Sequence, residues 1–208
     1  MELLYPSIRP RGAVLVIHSW WGLTHSFRHY GVSLAEAGYL VGLADLFDGS
    51  TATTQDEARA LRGRKRSLPM YRALGADIDG LRAYAGEATL RIGVVGFSMG
   101  GHWAVWLSQR SSYGIAATVL YYAARGGDFS DSETAIVAHF ADKDPWVSEG
   151  ARRSMERAIH RVGCTYQAFD YPSTSHWFAE DGQPSFDAHA ARVALGRDLR
   201  HLERYVAF

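Results

Sequence analysis

The chain is poor in the features that mark several protein classes. It has one cysteine, Cys164, so no intrachain disulfide can form and a disulfide-stapled scaffold is excluded. Cys164 opens a strand-like stretch to Phe169, where a buried, inert thiol is expected. Neither charge sign is in excess, since lysine plus arginine number 22 and aspartate plus glutamate number 22. No summed field therefore draws in nucleic acid or an anionic membrane, and the expected partner is a small molecule. Lysine itself is nearly absent, with Lys65 and Lys143 alone, which reads as composition and not as function. Nowhere do 18 apolar residues run together, and Met1 to Arg11 shows no basic segment followed by a long apolar core. A soluble cytoplasmic protein is the expectation. No repeat, low-complexity tract or linker interrupts the chain, and 208 residues bury one sizeable core, so residues 1–208 read as one domain. No helical face is marked as a dimer surface, and a monomer or weak homodimer is expected.

What is present is an alternation of apolar strand-like runs with amphipathic helix-like runs, the pattern of a mostly parallel sheet covered by helices on both faces. The spacing predicts strands at Ala13 to Ile17, Tyr39 to Ala44, Leu90 to Val95, Ile115 to Tyr121, Thr134 to Phe140 and Cys164 to Phe169. Helices fit between them. One runs from about Phe27 to Ala37 and stops at Gly38, another starts near Ser67 with Pro69 in its first turn, and a third covers Met99 to Gln109. Ser148 and Ser185 read as N-caps of the last two helices. Residues Ser50 to Arg66 break the pattern and end in Arg62-Gly63-Arg64-Lys65-Arg66, a cap over a site or a solvated basic helix end.

Gly96-Phe97-Ser98-Met99-Gly100 carries the chemistry. It lies between a strand and a helix, where a sharp turn lifts a serine hydroxyl clear of the sheet for a base to reach. Such a serine needs an acid and then a histidine later in the chain, each on a loop after a strand. Ala141-Asp142-Lys143-Asp144-Pro145-Trp146-Val147 supplies the acid, and Tyr171 through Phe178, with His176, supplies the base. Asp144 is preferred to Asp142 because Pro145 fixes a turn behind it, whereas Asp142 lies nearer the strand and suits turn hydrogen bonds. His176 is preferred because the rival histidines fall in helix-like or strand-like runs. His25 and His29 are four apart, as ligands on one helix face would be, but no third ligand accompanies them and no metal is expected.

These motifs, with Ile17-His18-Ser19-Trp20-Trp21-Gly22, Ala44-Asp45-Leu46-Phe47 and the pair Tyr121-Tyr122, resemble the dienelactone hydrolase family of α/β-hydrolases along nearly the whole chain. The resemblance implies an α/β-hydrolase fold of about six to eight strands with no large lid, and hydrolysis of a small ester or lactone through an acyl-enzyme without a metal or organic cofactor. Ser98, Asp144 and His176 would be nucleophile, acid and base, with the backbone N–H groups of Met99 and Trp20 receiving the oxyanion. Ser19, Trp21, Tyr122, Trp146 and Trp177 are expected to line an aromatic pocket, joined by Trp20 and Phe178 on the same loops, while Trp103 and Trp106 are assigned to the core. Acyl transfer would use the same residues, and a non-catalytic binding protein of the same fold is the reading from another class.

Three departures from the namesakes bear on substrate. They carry cysteine where Ser98 stands, glutamate where Ser19 stands, and an arginine that grips the substrate carboxylate close to the place of Glu180. A negative charge at Glu180 would repel such an anion, and Arg59 or Arg62 is the candidate replacement. The edge strand that precedes Ala13 in relatives is expected to be missing or reduced to Glu2 to Tyr5.

Overall fold

In the computed structural model, all residues are described except 65–66, 87–90 and 207–208. Expectations at Lys65, Arg66 and Leu90 therefore lie outside the described residues. Seven strands form one sheet: β1 (Glu2–Leu4), β2 (Ala13–Ile17), β3 (Leu40–Ala44), β4 (Ile92–Phe97), β5 (Ile115–Tyr121), β6 (Ala135–Lys143) and β7 (Tyr166–Ser175). Their order across the sheet is β1-β3-β2-β4-β5-β6-β7. Only β1 is antiparallel, pairing Glu2 with Leu43 and Leu4 with Val41. The N-terminal edge strand is thus present in reduced form.

Among the described residues, six α-helices and a single 3-10 turn at Ser111–Tyr113 complete the fold: α1 (His25–Glu36), α2 (Gln55–Arg64), α3 (Ser67–Ala85), α4 (Met99–Ser108), α5 (Glu149–Arg161) and α6 (Ala188–Tyr205). Period-two alternation along β2 divides the core. Ala13, Leu15 and Ile17 join residues of α3, α4 and α5 on one face, and Val14 and Val16 join those of α1 and α6 on the other. The sheet is therefore doubly wound, with apolar side chains buried on both sides. No helix among the described residues is long and apolar enough to cross a membrane.

Several expected strand ends shift: β4 ends at Phe97, past Val95, and β7 begins at Tyr166, after Cys164. β6 runs on to Lys143 and β7 to Ser175, because a register shift after Ala141 lets Lys143 pair with Ser175. That late pairing brings the acid-bearing and histidine-bearing loops together. Ser148 caps α5 by accepting from Ala151 N–H. Ser185 does not cap α6; Asp187 does, accepting from the N–H groups of His189 and Ala190. The Ser185 hydroxyl instead donates to the carbonyl of His176 at 2.6 Å.

Candidate active site

The turn between β4 and α4 holds Ser98 at φ 50° and ψ −109°, a strained backbone for a residue with a side chain. Two glycines permit it. A Cβ at Gly96 would lie 2.4 Å from the Gly100 carbonyl oxygen, and one at Gly100 would lie 2.2 Å from that of Ile17. No L side chain other than hydrogen fits either place. The Ser98 N–H donates to Tyr121 O on the neighbouring strand at 2.9 Å, so β5 anchors the turn.

The three residues expected to work together meet. Ser98 Oγ lies 2.8 Å from His176 Nε2, and His176 Nδ1 lies 2.8 Å from both carboxylate oxygens of Asp144. Asp144 also accepts from the N–H groups of Trp146 and Val147 at 2.9 and 3.1 Å, which fixes its rotamer within its own turn. Asp142 lies within β6 and accepts from Ser173 N–H on β7 at 3.2 Å, a contact between strands and not the turn hydrogen bond expected of it. A serine hydroxyl on an imidazole that is backed by a carboxylate is the arrangement that lowers the cost of forming an alkoxide.

Met99 is the first residue of α4, where first-turn N–H groups have no acceptor within the helix and the helix dipole favours negative charge. Trp20 follows β2 and lines the same cavity as Ser98 and Met99. His18, fully buried, braces that loop. Its Nδ1–H donates to Ser19 O at 2.5 Å and its Nε2 accepts from Leu46 N–H at 3.0 Å, tying the β2 loop to the β3 loop. Burial pushes its pKa down to about 4, and the imidazole is neutral.

The cavity encloses about 380 Å³. One wall is aromatic: Trp20 stacks on Trp177 with ring centroids 5.9 Å apart and meets Trp146 edge-on at 5.2 Å. Trp146 is 51 % exposed and forms the outer rim. Arg62 from α2, Arg125 after β5 and His102 from α4 also line the cavity. Arg125 is oriented by donating to His102 O at 3.0 Å. Desolvation by the surrounding protein, and then the charges of Arg125 and Arg62, hold His102 below the ordinary histidine range.

Several sequence expectations change here. Tyr122, Trp146 and Trp177 line the cavity with Trp20, whereas Trp21 lines a neighbouring groove on the far side of Trp146 and Trp177. Ser19 is fully buried, because its hydroxyl donates to Glu180 at 2.8 Å instead of facing the cavity. Phe178 is likewise fully buried, in the core beneath the loop. Glu180 does not point at a substrate: the turn from Trp177 to Glu180 sends its side chain inward, where Ser19 and Tyr122 both donate to it at 2.8 Å. Arg59 pairs with Asp56 on the surface of α2, leaving Arg62 as the arginine of that stretch at the cavity.

His102, Trp103, Tyr71 and Arg125 line the cavity without having been foreseen there. The first two follow the serine on α4, where the first turn of a helix that starts beneath a nucleophile must face it; Tyr71 and Arg125 carry no such local signal. His25 and His29 share Asp181 as an exposed neighbour at 3.7 and 4.0 Å, and no group of three or more described His, Cys, Asp or Glu residues is arranged to hold a metal ion.

Comparison with known proteins agrees with the fold. A model of the dienelactone hydrolase family matches residues 3–206. A protein of Aquifex aeolicus (strain VF5), provisionally named a carboxymethylenebutenolidase, is 23 % identical over 178 residues, covering 81 % of this chain and 77 % of its own. A protein of Bradyrhizobium sp, provisionally named a 2-oxo-3-(5-oxofuran-2-ylidene)propanoate lactonase, is 22 % identical over 205 residues, covering 91 % and 82 %. A crystal structure from Klebsiella pneumoniae subsp. pneumoniae MGH 78578, provisionally described as a dienelactone hydrolase, superposes with a TM-score of 0.82 at 19 % identity, over 98 % of this chain and 92 % of that one.

Proposed function

The chain belongs to the dienelactone hydrolase family of carboxylic ester hydrolases, and from that premise we propose that it cleaves a small, anionic ester or lactone through an acyl-enzyme on Ser98. The observation that carries the reading is the unbroken hydrogen-bond chain from Ser98 Oγ through His176 to Asp144, with Ser98 on the wall of the cavity. As Ser98 Oγ attacks the ester carbonyl carbon, its proton passes to His176 Nε2. Asp144 holds the Nδ1–H tautomer and balances the imidazolium. The carbonyl oxygen becomes an oxyanion held by the N–H groups of Met99 and Trp20, each such donor contributing about 10² to 10³ in rate. Collapse breaks the bond to the leaving oxygen, which takes the proton from His176. For a lactone that oxygen stays tethered to the acyl chain. Water, deprotonated by His176, then attacks the acyl-enzyme and restores the Ser98 hydroxyl.

The substrate class follows from the lining of the cavity. Stacked tryptophans favour a flat, apolar or unsaturated body, and the guanidinium groups of Arg62 and Arg125 favour a carboxylate on it. Among the relatives, the Bradyrhizobium protein is named for a lactone that bears a propanoate group, which supports the same class.

The test is intact mass after exposure to a fluorophosphonate, for wild type and Ser98→Ala, with a panel of neutral and carboxylate-bearing aryl esters. Labelling and turnover are expected in wild type alone. Arg62→Ala and Arg125→Ala are expected to raise KM for the anionic esters and leave the neutral ones unchanged. Folded wild-type protein that neither labels nor turns over any ester sinks the hydrolase reading, and an equal rise in KM for both ester types sinks the anionic one.

A further inference from the structure

Glu180 is a buried carboxylate beneath the site that the reaction above leaves unused. It is 1 % exposed, and its side-chain partners among the described residues are two hydroxyl groups: Ser19 Oγ on Oε2 and Tyr122 OH on Oε1, each at 2.8 Å. These three residues come from three separate loops. Ser19 immediately precedes Trp20, and its Oγ also accepts from Trp21 N–H at 3.4 Å. Tyr122 directly follows β5 with a positive φ of 37°, and its ring stands 4.8 Å from the imidazole of His176. Glu180 itself closes the turn that begins one residue after His176.

We propose that Glu180 is a positioning residue for ester cleavage, its carboxyl clamping the loop that bears the Trp20 N–H to the histidine loop and to the end of β5. The inference rests on the hydrolase reading given above. The three loops emerge from separate strands; ring contacts such as Trp20 on Trp177 and Tyr122 on Phe178 also join them, and the Glu180 carboxyl adds directional hydrogen bonds from the histidine loop to the other two. An oxyanion donor acts by being in place before charge develops, so a loop freed to shift by a fraction of an ångström loses much of its effect. The strained φ of Tyr122 points the same way, because such a conformation persists only where surrounding contacts hold it.

The clamp works as a neutral acid. Burial raises the Glu180 pKa to about 8, against the opposing pull of the Ser19 and Tyr122 hydroxyls. Neither of its side-chain hydrogen-bond partners among the described residues is a cation that would reverse this. Tyr122 is held well above the ordinary phenol range by burial and then by Glu180, and His18 beside Ser19 is neutral. Beyond the Tyr122 ring, His176 is paired with Asp144. A neutral carboxyl keeps both contacts, with one hydroxyl accepting its proton. An ionised one keeps the contacts too, but sets a buried negative charge against the loop where the oxyanion forms.

The experiment compares wild type, Glu180→Gln and Glu180→Ala on one aryl ester from pH 6 to 9.5, with folding of each checked by near-ultraviolet circular dichroism. Glu180→Ala is expected to lose about 10- to 100-fold in kcat with KM changed by less than about threefold, the signature of displaced transition-state contacts. Glu180→Gln, which keeps both hydrogen bonds and cannot ionise, is expected to restore kcat to within about fivefold of wild type. Wild-type kcat should fall as pH rises through about 8, and that fall should be missing in Glu180→Gln. Full kcat in Glu180→Ala, an equal loss in both variants, or the same alkaline fall in Glu180→Gln overturns the inference while leaving the hydrolase intact. If Glu180→Ala does not fold, the alkaline limb of Glu180→Gln decides alone. Wild type without labelling or turnover overturns the hydrolase reading, and this inference with it.

Discussion

Among the described residues are two buried His–Asp pairs with almost the same geometry and opposite surroundings. His176 and Asp144 meet at 2.8 Å with side chains 4 % and 6 % exposed; His139 and Asp198 meet at 2.7 Å with both fully buried. The free nitrogen of His176 faces Ser98 and a cavity. That of His139 faces the Tyr171 hydroxyl at 2.7 Å, and the second oxygen of Asp198 receives the hydroxyls of Tyr30 and Tyr121. The first pair has an open valence aimed at the Ser98 hydroxyl, whereas every valence of the second is closed. A His–Asp pair is therefore chemistry only where one of its atoms is left something to do. Otherwise it is a polar core, costly to break and of no use to a substrate.

The closed pair nonetheless serves the open one. The carbonyl of His139 accepts from Tyr122 N–H at 2.7 Å, and Tyr121, whose hydroxyl reaches Asp198, supplies the carbonyl that anchors Ser98 N–H. The same substitution at the two aspartates separates the roles. Asp144→Asn should leave the melting transition nearly unchanged and lower kcat by about 10⁴, because an amide no longer holds the required tautomer. Asp198→Asn should do the reverse in urea unfolding, with a loss of about 3 kcal/mol and near-normal kcat per folded molecule. A large fall in kcat for well-folded Asp198→Asn would erase the distinction between the two pairs.

How much of this was legible in the sequence depends on how local each signal is. The strand runs, the nucleophile turn and the order serine, aspartate, histidine are written in contiguous residues, and the β4–α4 turn forms where Gly96 and Gly100 allow it. Choosing Asp144 over Asp142 also rested on a neighbour, Pro145. Glu180 was misread because its sequence place suggested a cavity wall, while its direction is decided by a turn and by hydroxyls 161 and 58 residues away. Ser185 and Asp187 both suit an N-cap, and only the path of the chain past His176 assigns one to α6 and the other to the His176 carbonyl. The His139–Asp198 pair had no sequence signature at all. Its members come from a strand and a helix 59 residues apart, joined by packing on one face of the sheet.

The smallest expected effect probes the closed pair at its outer end. Tyr171 donates nothing that catalysis uses; its hydroxyl meets His139 Nδ1, and its ring packs on Phe178 beneath the histidine loop with centroids 4.8 Å apart. Tyr171→Phe keeps the ring and deletes the hydroxyl, so His139 gains the free nitrogen that His176 has, but faces no nucleophile and no cavity. The expected cost is about 1 kcal/mol in urea unfolding, for one hydrogen bond lost while the imidazole stays buried. The pattern of ester turnover should not change, because opening a valence in the core creates no place for a substrate to reach it. A variant destabilised by as much as Asp198→Asn would show instead that the Tyr171 contact, and not the His139–Asp198 hydrogen bond, holds the network together. In that case the two pairs would differ less in their surroundings than in which of their partners is indispensable.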